Sequence, residues 1–271
     1  MLAQRFELKY IIPDSITAAI DAFIAVHMEL DPYSDKNPEC SYSIHSVYLD
    51  SDSLHTYHAG IQGDRNRFKL RVRFYDDNPE SVAFLELKRR HKEVIQKKRC
   101  MLPRHAVMEA LAGDTSYVRD KDREAHDAFC HHMYLINATP RVHVGYEREA
   151  WVSRDGSAVR VTIDRNVRAE AQFDLNLATA MAEPVYVFGQ STVLELKFTD
   201  RAPDWMFEMV RLFNLKQSGG PKYAGGIRLI GEQCLHGPRN ECFQLPSLQC
   251  ADENRTSSEF ETPISQSLIH A

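Results

Sequence analysis

The stretch RFKLRVRFY, residues 67–75, sets four cations on alternate positions: Arg67, Lys69, Arg71 and Arg73. Phe68, Leu70, Val72 and Phe74 fill the positions between them. In a β-strand successive side chains point to opposite sides, so this segment carries all its charge on one face. Residues two apart lie about 6.6 Å from each other, and the four cations span roughly 20 Å. Guanidinium forks and ammonium groups both bind phosphoryl oxygens. A row of this length suits a linear polyanion better than a single phosphate.

The pattern recurs with carboxylates added. RFELKY puts Glu7 and Lys9 on one face, FLELKR does the same with Glu86 and Lys88, and VLELKF with Glu195 and Lys197. GYEREAW adds Tyr146 and Arg148, and VRVTIDR adds Arg160 and Asp164. A single strand of this kind can face water as one side of an ordinary sheet. Several together place like charges on one surface, where they repel. The alternative is a sheet closed on itself, its apolar sides on helices and its charged sides around a wet interior. Buried cations are costly unless paired, so that interior must hold counter-charges or an anionic ligand. Glutamates among the cations suit a divalent metal that bridges carboxylate and phosphate, since Mg²⁺ and Mn²⁺ take oxygen ligands.

Alternation of apolar and polar residues marks the elements that must position these groups. Strands are predicted at 5–12, 44–50, 67–75, 83–90, 94–101, 141–152, 159–167 and 193–198. Links such as DDNPE (76–80) and SRDGS (153–157) carry hairpin residues and favour antiparallel neighbours. Helices are predicted over 13–30, 103–113 and 203–215 from their start signals and apolar spacing. Met206, Met209, Val210 and Phe213 in the third are read as packing residues.

From His236 the chain turns polar and aperiodic, so a domain over 1–235 is expected to be followed by a disordered or loosely attached tail, 236–271. The whole chain of 271 residues carries a net charge of −5, which argues against general attraction to nucleic acid or acidic membranes. Its basic residues are concentrated: between Arg65 and Arg99 twelve Lys or Arg stand against five Asp or Glu. Nucleic-acid binding would want aromatics on the cationic face of 67–75, where only Tyr75 qualifies. The six cysteines form no CxxC pair, the N-terminus lacks a signal core, and no run is long enough to span a membrane. A cytoplasmic protein is expected, with no membrane insertion of its own but room for a membrane-associated partner.

The set RFELKY, SVYLDS, RFKLRVRFY, FLELKRR, GYEREAW, VRVTID, VLELKF and PKYAGG, in this order, resembles the VTC (vacuolar transporter chaperone) domain. That domain belongs to the triphosphate tunnel metalloenzymes and is known as a polyphosphate polymerase. The resemblance runs from about Arg5 to Ile230 and implies an α+β fold: an antiparallel eight-stranded closed tunnel β-barrel with flanking helices. It implies phosphate-contacting roles for Lys9, Arg71, Arg73, Lys88, Tyr146, Arg148 and Arg160, and for Lys97 after a loop of different length. Lys222 matches a lysine near the terminal phosphates, and Glu195 matches the metal-binding glutamate. The pattern of the chain itself adds Arg67, Lys69 and Lys197 as phosphate contacts, and Glu7 and Glu86 as further metal candidates.

Two departures stand out. Gly219-Gly220-Pro221 precedes Lys222 where the family has a second lysine and a serine, with Lys216 and Ser218 upstream as substitutes. Arg5 stands where the wider superfamily has a glutamate, which the VTC branch tolerates. The regulatory domain and membrane spans of eukaryotic members are missing, so a stand-alone bacterial type is expected.

The implied activity is metal-dependent transfer of the γ-phosphoryl group of ATP to a polyphosphate chain, with Mn²⁺ or Mg²⁺ as cofactor. Hydrolysis of triphosphate or a nucleoside triphosphate in the same place is the enzymatic rival. A non-catalytic module that holds polyphosphate or another polyanion is the third reading. No P-loop or nucleophile motif is present.

Overall fold

The computed structural model describes residues 5–92 and 94–236. Ten strands form one antiparallel sheet: β1 (Arg5–Pro13), β2 (Met28–Leu30), β3 (Tyr42–Asp50), β4 (Asn66–Phe74), β5 (Val82–His91), β6 (Val94–Pro103), β7 (Thr139–Ser153), β8 (Arg160–Ala171), β9 (Val185–Tyr186) and β10 (Ser191–Thr199). Among the described residues seven α-helices accompany it: α1 (Asp14–His27), α2 (Pro32–Asp35), α3 (His55–Ile61), α4 (Val107–Leu111), α5 (Arg123–Leu135), α6 (Asp204–Leu212) and α7 (Lys222–Ile230). All eight strands read from alternation are present, within a few residues of their expected ends. The helix expected over 13–30 stops at His27, and its last three residues, Met28–Leu30, pair with β7 instead. The expected tail lies outside the described residues apart from His236. No described helix is long and apolar enough to cross a membrane.

The sheet is not closed. Its strands run in the order β1-β10-β8-β7-β3-β4-β5-β6, with β2 beside β7 and β9 beside β8, so β1 and β6 are the edge strands and do not pair with each other. The closed eight-stranded barrel expected from the sequence is corrected to an open ten-stranded sheet with flanking helices. The reason lies at both edges. The chain ahead of α7 takes the free side of β1, where Tyr10 pairs with Gln217 and the Ser218 N–H donates to the Lys9 carbonyl at 2.8 Å. Lys97, Lys98 and Arg99 decorate β6, and charged edges discourage further pairing.

Open though it is, the sheet curls. In strand order β1 and β5 are six spacings apart, about 29 Å if the sheet were flat. Burial pushes the Glu7 carboxyl of β1 up, yet Lys9, Lys197 and also Lys88 of β5 bring it below its ordinary value. Lys69 of β4 lies 5.4 Å from the Tyr223 ring of α7, while the adjacent Lys222 reaches Glu195 of β10 at 3.3 Å, so strands four places apart converge across a concave face.

Alternation assigns the two sides. On the convex side Leu70, Val72, Phe74, Leu85, Leu87 and Cys100 pack with Val107, Leu111, Phe129 and Met133 of α4 and α5. Farther along, Tyr10, Ile12, Val161, Ile163, Leu194 and Leu196 pack with Ile20 and Ile24 of α1 and Met206 and Met209 of α6. The concave side carries the charge, and α7 covers part of it, with Tyr223, Ala224 and Ile227 against Val142, Val144 and Ala169. Gly226 allows this approach: a Cβ there would lie 2.7 Å from the Ala169 Cβ.

Candidate functional site

Two buried glutamates organise the concave face. Glu86, 2% exposed on β5, accepts from Arg71 Nε at 2.6 Å and Arg99 Nε at 2.8 Å. Lys97 Nζ lies 3.0 Å from the same carboxylate and Arg73 Nε 3.7 Å. Burial alone would raise the Glu86 pKa, but Arg71, Arg73, Lys97 and Arg99 outweigh it and hold the group ionised. Arg71 also donates from Nη1 to the Tyr48 hydroxyl at 3.1 Å. Burial pushes that phenol up, while Arg71, Lys69 and Arg73 bring it down to about 8.

Glu195, 4% exposed on β10, mirrors this arrangement. Lys9 Nζ donates to Oε1 at 2.8 Å, Lys197 Nζ to Oε2 at 2.7 Å, and Lys222 Nζ to Oε1 at 3.3 Å. Burial raises its pKa, and Lys222, Lys197, Lys9 and Arg148 drive it well below the carboxylate range. Beside it Asp164, fully buried on β8, takes two hydrogen bonds from Arg148, at 2.6 and 2.8 Å, and an ion pair from Lys222 at 2.6 Å. Lys222 and Arg148 both lie over the Tyr146 ring, 4.8 and 5.3 Å from its centroid. Arg160 reaches outward to Asp31 at 2.7 Å.

The remaining cations are less well matched. Among the described residues neither Lys69 nor Lys88 forms an ion pair at bonding distance, and Lys69 sits 5.4 Å above the Tyr223 ring. Burial lowers the Lys69 pKa, and Lys88, Arg67 and Lys9 add to that, opposed by Tyr48. Lys88 is lowered by burial, then by Lys9 and Arg71 against the pull of Glu7. Ser46 Oγ, Arg73 Nε and Thr162 Oγ1 on the concave face, and Ser218 Oγ next to β1, are buried without a hydrogen-bond partner. Buried polar atoms in this state mark places for water or a polar ligand.

A family profile for the VTC domain matches residues 4–230 of the chain. The chain belongs to the VTC domain family. Two solved structures resemble its fold distantly. One is a Bacillus halodurans protein provisionally named an adenylate cyclase, at 10% identity and a TM-score of 0.47, covering 82% of this chain and 96% of its own. The other is the PH1819 protein of Pyrococcus horikoshii OT3, at 13% identity and a TM-score of 0.42, covering 83% and 98%. Neither bears on chemistry at that distance. No curated protein matches the chain.

Most candidates read from the sequence of this VTC domain converge. Glu7, Lys9, Lys69, Arg71, Arg73, Glu86, Lys88, Lys97, Tyr146, Arg148, Glu195, Lys197 and Lys222 are all linked by the contacts and charge effects above, whereas Arg160 turns aside to Asp31. Arg67 lies at the outer end of β4, donating to the Asp64 carbonyl. Lys216 is exposed, and Ser218 meets the site through its backbone bond to Lys9. Despite the altered Gly219-Gly220-Pro221 segment, Lys222 reaches Asp164 and Glu195. Gly220 makes the turn at φ +42°, a conformation that favours glycine. The sequence places Asp164 on the charged face without making it a candidate, and singles out neither Arg99 nor Tyr48, which meet Glu86 and Arg71. Alternation puts each on the charged face, but nothing local announces their partners.

For a divalent metal the donor set is thin. Among the described residues no three His, Cys, Asp or Glu side chains are grouped to hold one. Glu7 and Glu195 share the Lys9 ammonium between them, at 3.0 and 2.8 Å, and Glu195 also holds Lys197 and Lys222. Glu86 is already engaged by four cations. These residues fit only a metal whose other ligands are phosphate oxygens and water, an arrangement usual for Mg²⁺.

Proposed function

We propose that this VTC domain is a metal-dependent phosphotransferase that moves the γ-phosphoryl group of ATP onto a polyphosphate chain lying along the concave face. Family membership ties the chain to enzymes of phosphate chemistry; the polymerase activity is our reading. The observation that carries it is the state of Lys69 and Lys88. They are held among other cations without a bonded carboxylate, so an incoming polyanion relieves their repulsion.

Phosphoryl transfer needs in-line positioning and neutralised oxygens more than covalent help. Arg71, Arg73 and Lys88 contact the phosphates from one wall, and Arg148, Arg160 and Lys222 from the other. Lys9, Lys69, Lys97 and Lys197 extend the track along which the chain lies. Glu86 holds Arg71 and Lys97, Glu195 holds Lys9 and Lys197, and Asp164 holds Arg148 and Lys222 in place before substrate arrives, so little reorganisation of these six is left for the transition state. Glu195 and Glu7 would hold Mn²⁺ or Mg²⁺, which would supply Lewis-acid polarisation of the phosphate oxygens. The acceptor is an ionised terminal phosphate, so no side chain has to remove a proton.

Incubating the purified protein with ATP and Mn²⁺ and resolving the products on a polyphosphate-stained gel tests this. Long chains are expected. Orthophosphate without chains makes the domain a hydrolase, and binding without turnover makes it a polyanion-holding module.

A further inference from the structure

One end of the concave face departs from its cationic character. Tyr33 of α2, Tyr42 of β3, Tyr75 after β4 and Phe84 of β5 form an unbroken row of rings, with successive centroids 5.9, 6.5 and 6.2 Å apart. The row starts in solvent, since Tyr33 is 70% exposed, and its other members are half-buried. Its position is fixed. Asp31 caps α2 by accepting from the Tyr33 and Ser34 N–H groups at 3.2 and 2.8 Å, while its other oxygen accepts from Arg160.

The row runs directly into the charged site. Tyr42 pairs in register with Arg148, and Phe84 with Arg73. The Arg99 guanidinium lies 4.6 Å from the Phe84 centroid. Arg73 and Arg71 follow Tyr75 along β4 at two-residue steps, so Arg71 stands about 13 Å from the ledge. Burial and Asp31 push the Tyr42 phenol up to about 12, against Arg148 and Arg160. It therefore stays a neutral ring.

We propose that this aromatic ledge stacks the base of a nucleoside triphosphate whose phosphates run onto Arg148, Arg73 and Arg71. The inference rests on the reading of ATP as phosphoryl donor and adds its orientation: base at the Tyr33 mouth, γ-phosphate deepest. A bare polyphosphate has no group that uses four rings. A nucleotide carries a π-face and a phosphate chain on one molecule, and base stacking on aromatics works without base-edge hydrogen bonds.

Calorimetric affinities for ATP and for tripolyphosphate, measured on the wild type, Tyr33→Ala and Tyr42→Leu, test it. Tyr33→Ala is expected to weaken ATP about fivefold or more, with tripolyphosphate unchanged, and Tyr42→Leu to do the same. The exposure of Tyr33 keeps its variant folded, and an unchanged thermal midpoint checks this. If the wild type binds both ligands and the variants leave ATP unaffected, or weaken both ligands equally, the ledge is no base site. If the wild type binds neither, the phosphotransferase reading itself falls.

Discussion

Arg148 clasps Asp164 through two hydrogen bonds, Nε to Oδ1 at 2.6 Å and Nη2 to Oδ2 at 2.8 Å. The carboxylate is fully buried and also holds Lys222. Removing its charge leaves two buried cations with less compensation. Asp164→Asn is expected to destabilise the domain by about 3 kcal/mol or more, read from urea unfolding. A loss under about 1 kcal/mol would show that water or the neighbouring Glu195 already serves both cations.

Stability should fall as the pH drops below 6.5, and a histidine pair is the cause. His45 Nδ1 and His143 Nε2 lie 3.0 Å apart on the convex side. Burial, with Arg168 nearby, pushes His45 down to about 4. Burial, then His45 and Arg168, take His143 to about 3. Both stay neutral when folded but protonate in the unfolded chain, so their contribution is complete above 6.5 and lost toward pH 4 and 3. Each steepens the decline by up to about 1.4 kcal/mol per pH unit. Asp21 opposes them below about 6, because burial and Glu149 raise its carboxyl despite Arg165. The lowered carboxyls Glu86 and Glu195 lose their contribution only below about 4.5. Unfolding free energies at pH 7 and pH 5 should therefore differ less for His143→Gln than for the wild type. Equal differences would mean that His143 takes up its proton as readily in the folded protein as in the unfolded chain.

Lys88 separates binding from stability. It is exposed and makes no ion pair among the described residues, so Lys88→Met should change stability by no more than about 0.5 kcal/mol. Its charge lies on the proposed phosphate track, so tripolyphosphate affinity should fall severalfold, most clearly at low salt. Unchanged affinity in low-salt calorimetry would remove Lys88 from the track.

Much of this was legible in the sequence. Eight strands and the face each cation takes follow from alternation, because a half-buried strand must sort its side chains with period two. The state of the sheet edges did not follow. Closure depends on what meets β1, and Gln217 and Ser218 meet it by backbone bonds that leave no side-chain pattern. Helix α7 was hidden for a related reason: Gly225 and Gly226 lower helix propensity, yet their lack of a Cβ lets the helix press on the sheet. The site was half legible. Asp164 stood on the right face from the start, but its hold on Lys222, far along the chain, required the fold.

On the proposed reading the concave face binds strung-out phosphates between two walls of cations. A crystal structure of the protein with tripolyphosphate decides whether it does. Phosphorus atoms between Arg71 and Lys88 on one side and Arg148 and Lys222 on the other are expected. Tripolyphosphate bound elsewhere on the protein, with Lys69 and Lys88 contacting only solvent, would contradict it.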